Sequence, residues 1–296
     1  MKKPLAILLT LGVALATPAW ARHDKDEGGR PVNEHRPLKA DARVYVSNVA
    51  GLIEVETWDK KELWLTGELG EDVEKLEITG SESSLKIEVK LPRDSHNVEG
   101  DTHLKLQLPP GVALEAEGVS ADIRVRGLQG PLSAESVSGD VRLVVESAKV
   151  KASSVSGDVT LEAPASETRV SSVSGDVNVR GVKGELNAET VSGDVHLQAR
   201  ELRKLDVETV SGDLELDLDS ARDADISVET LSGEVRLTLP SMPDGEIRLE
   251  TFSGEITSPW WSAGDGDDEK EYRHDGNGKG RLRLHSFSGD IVLKKK

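Results

Sequence analysis

One tripeptide governs what this chain can fold into. Ser-Gly-Asp recurs at Ser138-Gly139-Asp140, Ser156-Gly157-Asp158, Ser174-Gly175-Asp176 and Ser192-Gly193-Asp194, each 18 residues after the last. Ser211-Gly212-Asp213 follows after 19, Ser232-Gly233-Glu234 and Ser253-Gly254-Glu255 after 21 each, and Ser288-Gly289-Asp290 after 35. A degenerate copy, Ser120-Ala121-Asp122, precedes the series by 18, and Ala50-Gly51-Leu52 resembles a still earlier relative. A fixed period of this kind marks a chain assembled from one small unit, stacked many times.

The flanks of the tripeptide are strand-like. Val195-His196-Leu197 and Leu214-Glu215-Leu216-Asp217-Leu218 alternate apolar and polar downstream, and Leu205-Asp206-Val207-Glu208-Thr209 does so upstream. Val210 then breaks the parity, so side-chain facing flips at the turn; the pattern leaves open whether Thr209 or Val210 points inward. Glycine allows a positive φ, and Ser and Asp can hold a bend by bonding nearby backbone groups, so Gly139, Gly157, Gly175, Gly193, Gly212, Gly233, Gly254 and Gly289 are expected to be structural turns. No helical periodicity occurs after the N-terminal segment. Two all-β architectures remain: a parallel β-solenoid (β-helix) with one coil per repeat of about 18–21 residues, and an antiparallel β-sandwich. Equal turns at equal spacing favour the solenoid. Aromatic residues are only 3% of the chain, so the core must be aliphatic.

The N-terminus sets the compartment. Lys2 and Lys3, the apolar run Leu5 to Ala16 and the small-x-small ending Ala19-Trp20-Ala21 read as a secretory signal peptide cut after Ala21. The run is shorter than the about 20 apolar residues of a membrane span. The residue after the cut is Arg22 rather than Cys, which argues against a lipid anchor. The expected location is the periplasm or the cell surface, with no transmembrane segment in the mature chain. Removing residues 1–21 removes two lysines and no acid, which takes the net charge from −17 to −19. So acidic a chain repels nucleic acid. With no cysteine, disulfides, thiolate metal sites and cysteine nucleophiles are excluded.

Along the mature chain, residues 22–40 read as a disordered leader and 41–296 as a single domain. Within it, 41–110 form irregular N-terminal coils, 111–257 the regular repeats, 258–280 an inserted loop and 281–293 the last coil. The tail Lys294-Lys295-Lys296 reads as frayed and solvated.

At the repeat the chain also resembles a known group. Leu106-Gln107-Leu108-Pro109-Pro110-Gly111, Val119-Ser120-Ala121-Asp122-Ile123, Gly127-Leu128-Gln129-Gly130 and Val137-Ser138-Gly139-Asp140-Val141 are similar to a bacterial family of unknown function, labelled adhesins or β-strand-repeat domains. The resemblance spans roughly residues 40–293. It implies a parallel β-solenoid, an envelope location and no established enzymatic activity, and it carries no catalytic residues over.

Few residues qualify as a site. Stacked in register, Asp140, Asp158, Asp176, Asp194 and Asp213 would form a ladder about 5 Å apart, a weak candidate for a cation such as calcium against the simpler reading of turn carboxylates bonded to backbone. The acidic run Asp265 to Glu269 lacks EF-hand spacing and reads as a solvated loop. Trp260 and Trp261 could bind a partner or plug the end of the rod. The histidines are scattered, no Gly-x-Ser-x-Gly elbow occurs, and the serines repeat whereas a nucleophile is singular. The expectation is a non-enzymatic envelope scaffold or interaction module without a cofactor, its partner an unknown protein or glycan. A carbohydrate-binding or carbohydrate-cleaving β-helix and a calcium-dependent adhesive module are the alternatives.

Overall fold

The repeat specifies local strands, and their pairing partners decide the fold. In the computed structural model, which describes residues 29–92, 101–219, 222–260 and 270–296, those residues form 24 strands and no helix. Most pairings are parallel and in register. Val141 pairs with Val159, Val159 with Val177, Val177 with Val195, Val195 with Leu214 and Leu214 with Val235. The result is a large, mostly parallel, solenoid-like sheet. Its parallel register removes the antiparallel sandwich as an alternative.

Each regular repeat contributes two strands, one on either side of the Ser-Gly-Asp corner. Lys149–Ser154 and Val159–Glu162 are one such pair. The two faces close on an interior filled by aliphatic side chains. Val150, Ala152, Val159 and Leu161 of this repeat are each no more than 2% exposed. Burying a Val or Leu side chain fully contributes about 1.5–3 kcal/mol, and every repeat renews that layer. The Asn48–Ala50 and Gly118–Ser120 corners sit in register, and Gly51 lies opposite Ala121, so the degenerate early copies belong to the same stack.

Glycine at the corner is demanded by crowding more often than by φ. A Cβ on Gly157 would sit 2.2 Å from the Gly139 carbonyl oxygen, one on Gly175 2.1 Å from that of Gly157, and one on Gly193 2.3 Å from that of Gly175. Only Gly212, Gly233 and Gly289 of the corner series also have positive φ. Positive φ is thus an added reason for glycine at those three; at Gly139, Gly157, Gly175, Gly193 and Gly254 the reason is coil-to-coil approach.

Both ends of the rod depart from the sequence reading. Residues 30–37 are not a disordered leader: Arg30–Pro37 is a strand, antiparallel to Glu62–Leu69. Its polar sequence conceals it because the backbone ladder holds it, and Pro31 and Pro37 are tolerated on an edge. With the hairpin Lys75–Ser81/Ser84–Lys90 it covers edges that would otherwise template aggregation.

At the other end the coils are out of chain order. Arg281–Ser288 inserts between Asp225–Ser232 and Glu246–Ser253, parallel to both. Ile291–Lys295 likewise lies between Val235–Leu239 and Ile256–Thr257. The segment 281–293 is therefore last in sequence but not at the end of the rod. The terminal position belongs to 246–257, covered by the antiparallel strand Glu271–Asp275, which lies within the expected inserted loop. The lysine tail is not frayed either: Lys294 and Lys295 extend a strand, and the Lys296 ammonium pairs with Asp217 at 2.6 Å and with Asp219. That contact holds the Asp219 carboxyl below its ordinary range and raises Lys296.

Candidate functional site

The corner inverts side-chain facing. Thr209 is 7% exposed and Val210 46%, so the hydroxyl turns inward and the valine outward. Upstream coils carry Ser at the inward position. The Ser154 hydroxyl donates to the Gly139 carbonyl at 3.0 Å and accepts from the Gly157 N–H at 3.0 Å, tying successive coils together. Ser136 and Ser172 repeat this. Downstream coils carry Thr190 and Thr209, whose hydroxyls have no hydrogen-bond partner in the structure. There the Gly193 and Gly212 N–H groups donate instead to the Ser211 and Ser232 carbonyls. Ser286 shares the second arrangement: its hydroxyl has no partner and the Gly289 N–H donates to the Ser253 carbonyl. Both corner types leave the following apolar residue pointing out.

Repetition turns that outward residue into a stripe. Val119, Val137, Val155, Val173, Val191 and Val210 follow one another, each between 42% and 50% exposed. Leu231, Phe287 and Phe252 continue it in spatial order, Phe252 at 68%, and the two phenylalanine rings stack at 5.0 Å. Single exposed valines are ordinary, but a contiguous apolar row on a very acidic protein is a candidate interaction surface. The stripe forms one wall of a groove of about 1160 Å³. The other wall is the column Ser47, Glu117, Glu135, Ser153, Ser171, Glu189, Glu208, Glu229 and His285.

Beyond the stripe, on its far side, runs the aspartate ladder. Asp140 Oδ1 accepts the Asp158 N–H at 3.0 Å, Asp158 that of Asp176 at 2.9 Å, Asp176 that of Asp194 at 2.9 Å and Asp194 that of Asp213 at 2.8 Å. Each carboxylate is thereby fastened to the backbone of the next coil. Among the described residues no cluster of three or more His, Asp or Glu side chains is placed to hold a metal ion. The apolar stripe accordingly lies between two acidic columns.

Tyr45 sits at the N-terminal end of the groove. Its hydroxyl donates to Glu117 Oε2 at 2.5 Å. Partial burial, reinforced by this bond, pushes its pKa up to about 12. The folded state therefore holds the phenolic proton more tightly than the unfolded chain, whose tyrosine titrates near 10. The stabilisation is complete below about pH 10 and is lost as pH rises towards 12. In a spectrophotometric titration the Tyr45→Phe variant is expected to lack the later phenolate step of the wild type; an unchanged upper step would contradict this placement.

The tryptophan pair divides. Trp260 is half-buried and packs against the core, as a plug would; Trp261 and the acidic run Asp265 to Glu269 lie outside the described residues. At the N-terminal end Trp58, Trp64 and His35 stack in a row, at 6.0 Å and 5.5 Å. Both indole N–H groups there are satisfied within the fold, by the Glu62 carbonyl and Asn33 Oδ1. The stripe residues themselves were legible only as strand alternation; the signal for them was the broken parity at Val210.

The family model described as Toastrack DUF4097 matches residues 53–294. This chain belongs to that family. Solved structures similar to this DUF4097 protein include a candidate lipid-binding protein from Parabacteroides distasonis, 14% identical, covering 91% of this chain and 98% of its own, with a TM-score of 0.50. They also include a candidate adhesin from Parabacteroides merdae, 11% identical, covering 90% and 97%, TM-score 0.41. Another, from Bacteroides fragilis, is 12% identical, covering 91% and 99%, TM-score 0.39. At such identities the likeness concerns the fold. No curated protein matches this DUF4097 chain. Among its described residues no helix is long and apolar enough to cross a membrane.

Proposed function

We propose that this protein is an exported, non-enzymatic, adhesin-like interaction module of the cell envelope, and that the outward apolar stripe is its binding face. The observation that carries the reading is the stripe: residues from Val119 to Phe252 occupy one column without contributing to the core. A repeat protein builds extended binding surfaces in this way, each unit adding one contact. Support for a non-enzymatic role is that most polar groups beside the stripe are serines or glutamates repeated from coil to coil, since catalysis needs a singular constellation. Support for export is the Lys2-Lys3 and Leu5–Ala16 pattern ahead of Ala21. The finer architecture in this reading is one 18–21-residue repeat per solenoid coil, in keeping with pairs such as Val159–Val177 and Leu214–Val235.

The experiment is co-sedimentation of the purified mature protein with isolated cell envelopes. The triple variant Val155→Ser/Val173→Ser/Val191→Ser should stay in the supernatant while the wild type sediments. Because these side chains are exposed, the two proteins should melt alike. Equal sedimentation of both would remove the stripe as the binding face.

A further inference from the structure

The two halves of the stripe differ in what flanks them. In the N-terminal half the flanking acids are already engaged or absent. Glu117 accepts from Tyr45, Glu135 pairs with Lys151 at 2.6 Å, and the next two positions are Ser153 and Ser171. In the C-terminal half the column reads Glu189, Glu208, Glu229, His285, Glu250 in spatial order. These four glutamates are exposed and make no ion pair or hydrogen bond among the described residues. Neighbouring coils lie about 4.8 Å apart, where like charges repel by roughly 1 kcal/mol in water. Elsewhere on the same sheet face some acids are matched by bases, as in Lys149–Glu167 and Arg281–Asp225. The unmatched column stands beside the bulkiest part of the stripe: Val191, Val210, Leu231, Phe287 and Phe252.

We infer that this C-terminal half of the groove docks a basic amphipathic helix of a partner protein. The apolar rungs would receive the helix's apolar face, and its Lys and Arg side chains would answer the glutamate column on one side and the corner acids Asp194, Asp213, Asp290 and Glu255 on the other, Glu234 being paired with Arg236. The spacing fits a helix. Five rungs about 4.8 Å apart span roughly 19 Å, or about three and a half helical turns of 5.4 Å and about 13 residues. Each turn then presents one apolar side chain to roughly one rung. An extended segment repeats its facing side chains about every 6.6 Å and falls out of step after two rungs. Helix-in-groove docking with i, i+3, i+4, i+7 anchors has this geometry, and the charge match adds rate and register. The inference rests on the stripe being the binding face.

The test uses the full mature protein and three synthetic peptides in fluorescence anisotropy. The first is an amphipathic helix of about 14 residues with a leucine stripe flanked by lysine. The second has the same composition in scrambled order, and the third has glutamate in place of lysine. The first should bind, weaken steeply as salt rises and be the only one to do so. Phe252→Ser/Phe287→Ser should weaken it about tenfold or more, as loss of aromatic anchors does. Glu189→Gln/Glu208→Gln/Glu229→Gln should weaken it and flatten the salt dependence. Melting of that triple variant should be unchanged or raised, because it removes repulsion. Equal binding of the scrambled peptide, or indifference to the phenylalanines, would overturn the inference. So would uptake of neutral phosphatidylcholine vesicles, lost in the phenylalanine variant, with no peptide binding; the stripe would then be an acyl-chain surface. If envelope sedimentation depends on the stripe while the peptides are silent, the binding face stands and the helix does not.

Discussion

Replacing Gly157 by alanine is expected to cost about 3 kcal/mol and to split the unfolding of the rod into two transitions. The added Cβ would lie 2.2 Å from the Gly139 carbonyl oxygen, 2.5 Å from its carbon and 2.9 Å from the Asp140 nitrogen. All three are backbone atoms, so no side chain can swing aside. Relief requires the coils to part, which breaks the Ser154 and Asp140 bonds across the same gap. In a stacked repeat, stability is a sum of units and nearest-neighbour interfaces. One damaged interface near the middle therefore uncouples the two sides. Urea denaturation followed by circular dichroism and by tryptophan fluorescence should stop giving coincident curves. The comparison is Val155→Ser, two residues earlier and 44% exposed, which should move stability by no more than about 0.5 kcal/mol. Equal losses in the two variants would show that the corner, and not the glycine column, is at fault.

Truncation before Arg281 should do greater damage than its 16 residues suggest. Glu246–Ser253 pairs with Arg281–Ser288 and with Glu271–Asp275, while among the described residues the strand pairing of Asp225–Ser232 towards that end runs through Arg281–Ser288 alone. Without residues 281–296 the strand Glu246–Ser253 loses its parallel partner, and Asp225–Ser232 and Val235–Leu239 become bare edges. Such edges pair with other chains. The expected results are oligomers on a sizing column and rapid proteolysis between 240 and 280, with the fragment ending near Leu239 persisting. A truncated chain that stays monomeric and resists protease would show that 246–257 can take the vacated place.

The parallel stack was readable from the sequence because each repeat states its own turn and its own alternation. Three features were not. The inward role of Thr209 could not be separated from that of Val210, since both alternations are acceptable until the neighbouring coil supplies the Ser232 carbonyl that accepts the Gly212 N–H and closes the corner. The outward stripe followed from that choice and stayed hidden with it. The strand Arg30–Pro37 has no apolar period to detect, being recruited by the unpaired edge of Glu62–Leu69. The insertion of Arg281–Ser288 between two earlier coils is a long-range exchange, and the 35-residue spacing that marks it reads equally as a loop. Trp260, singled out because it does not repeat, instead packs against the core, whereas the candidate surface is made of residues that do repeat.

The in-register pairing also makes the middle coils interchangeable. Val159 faces Val141 and Val177 through the same ladder by which Val177 faces Val159 and Val195. Deleting or duplicating one such unit leaves every neighbour with an equivalent partner, while the caps at both ends stay as they are. The rod is in this sense a ruler: its reach, and the length of the stripe along it, can change in steps of about 4.8 Å by unequal crossing-over within the gene, with no new core to invent.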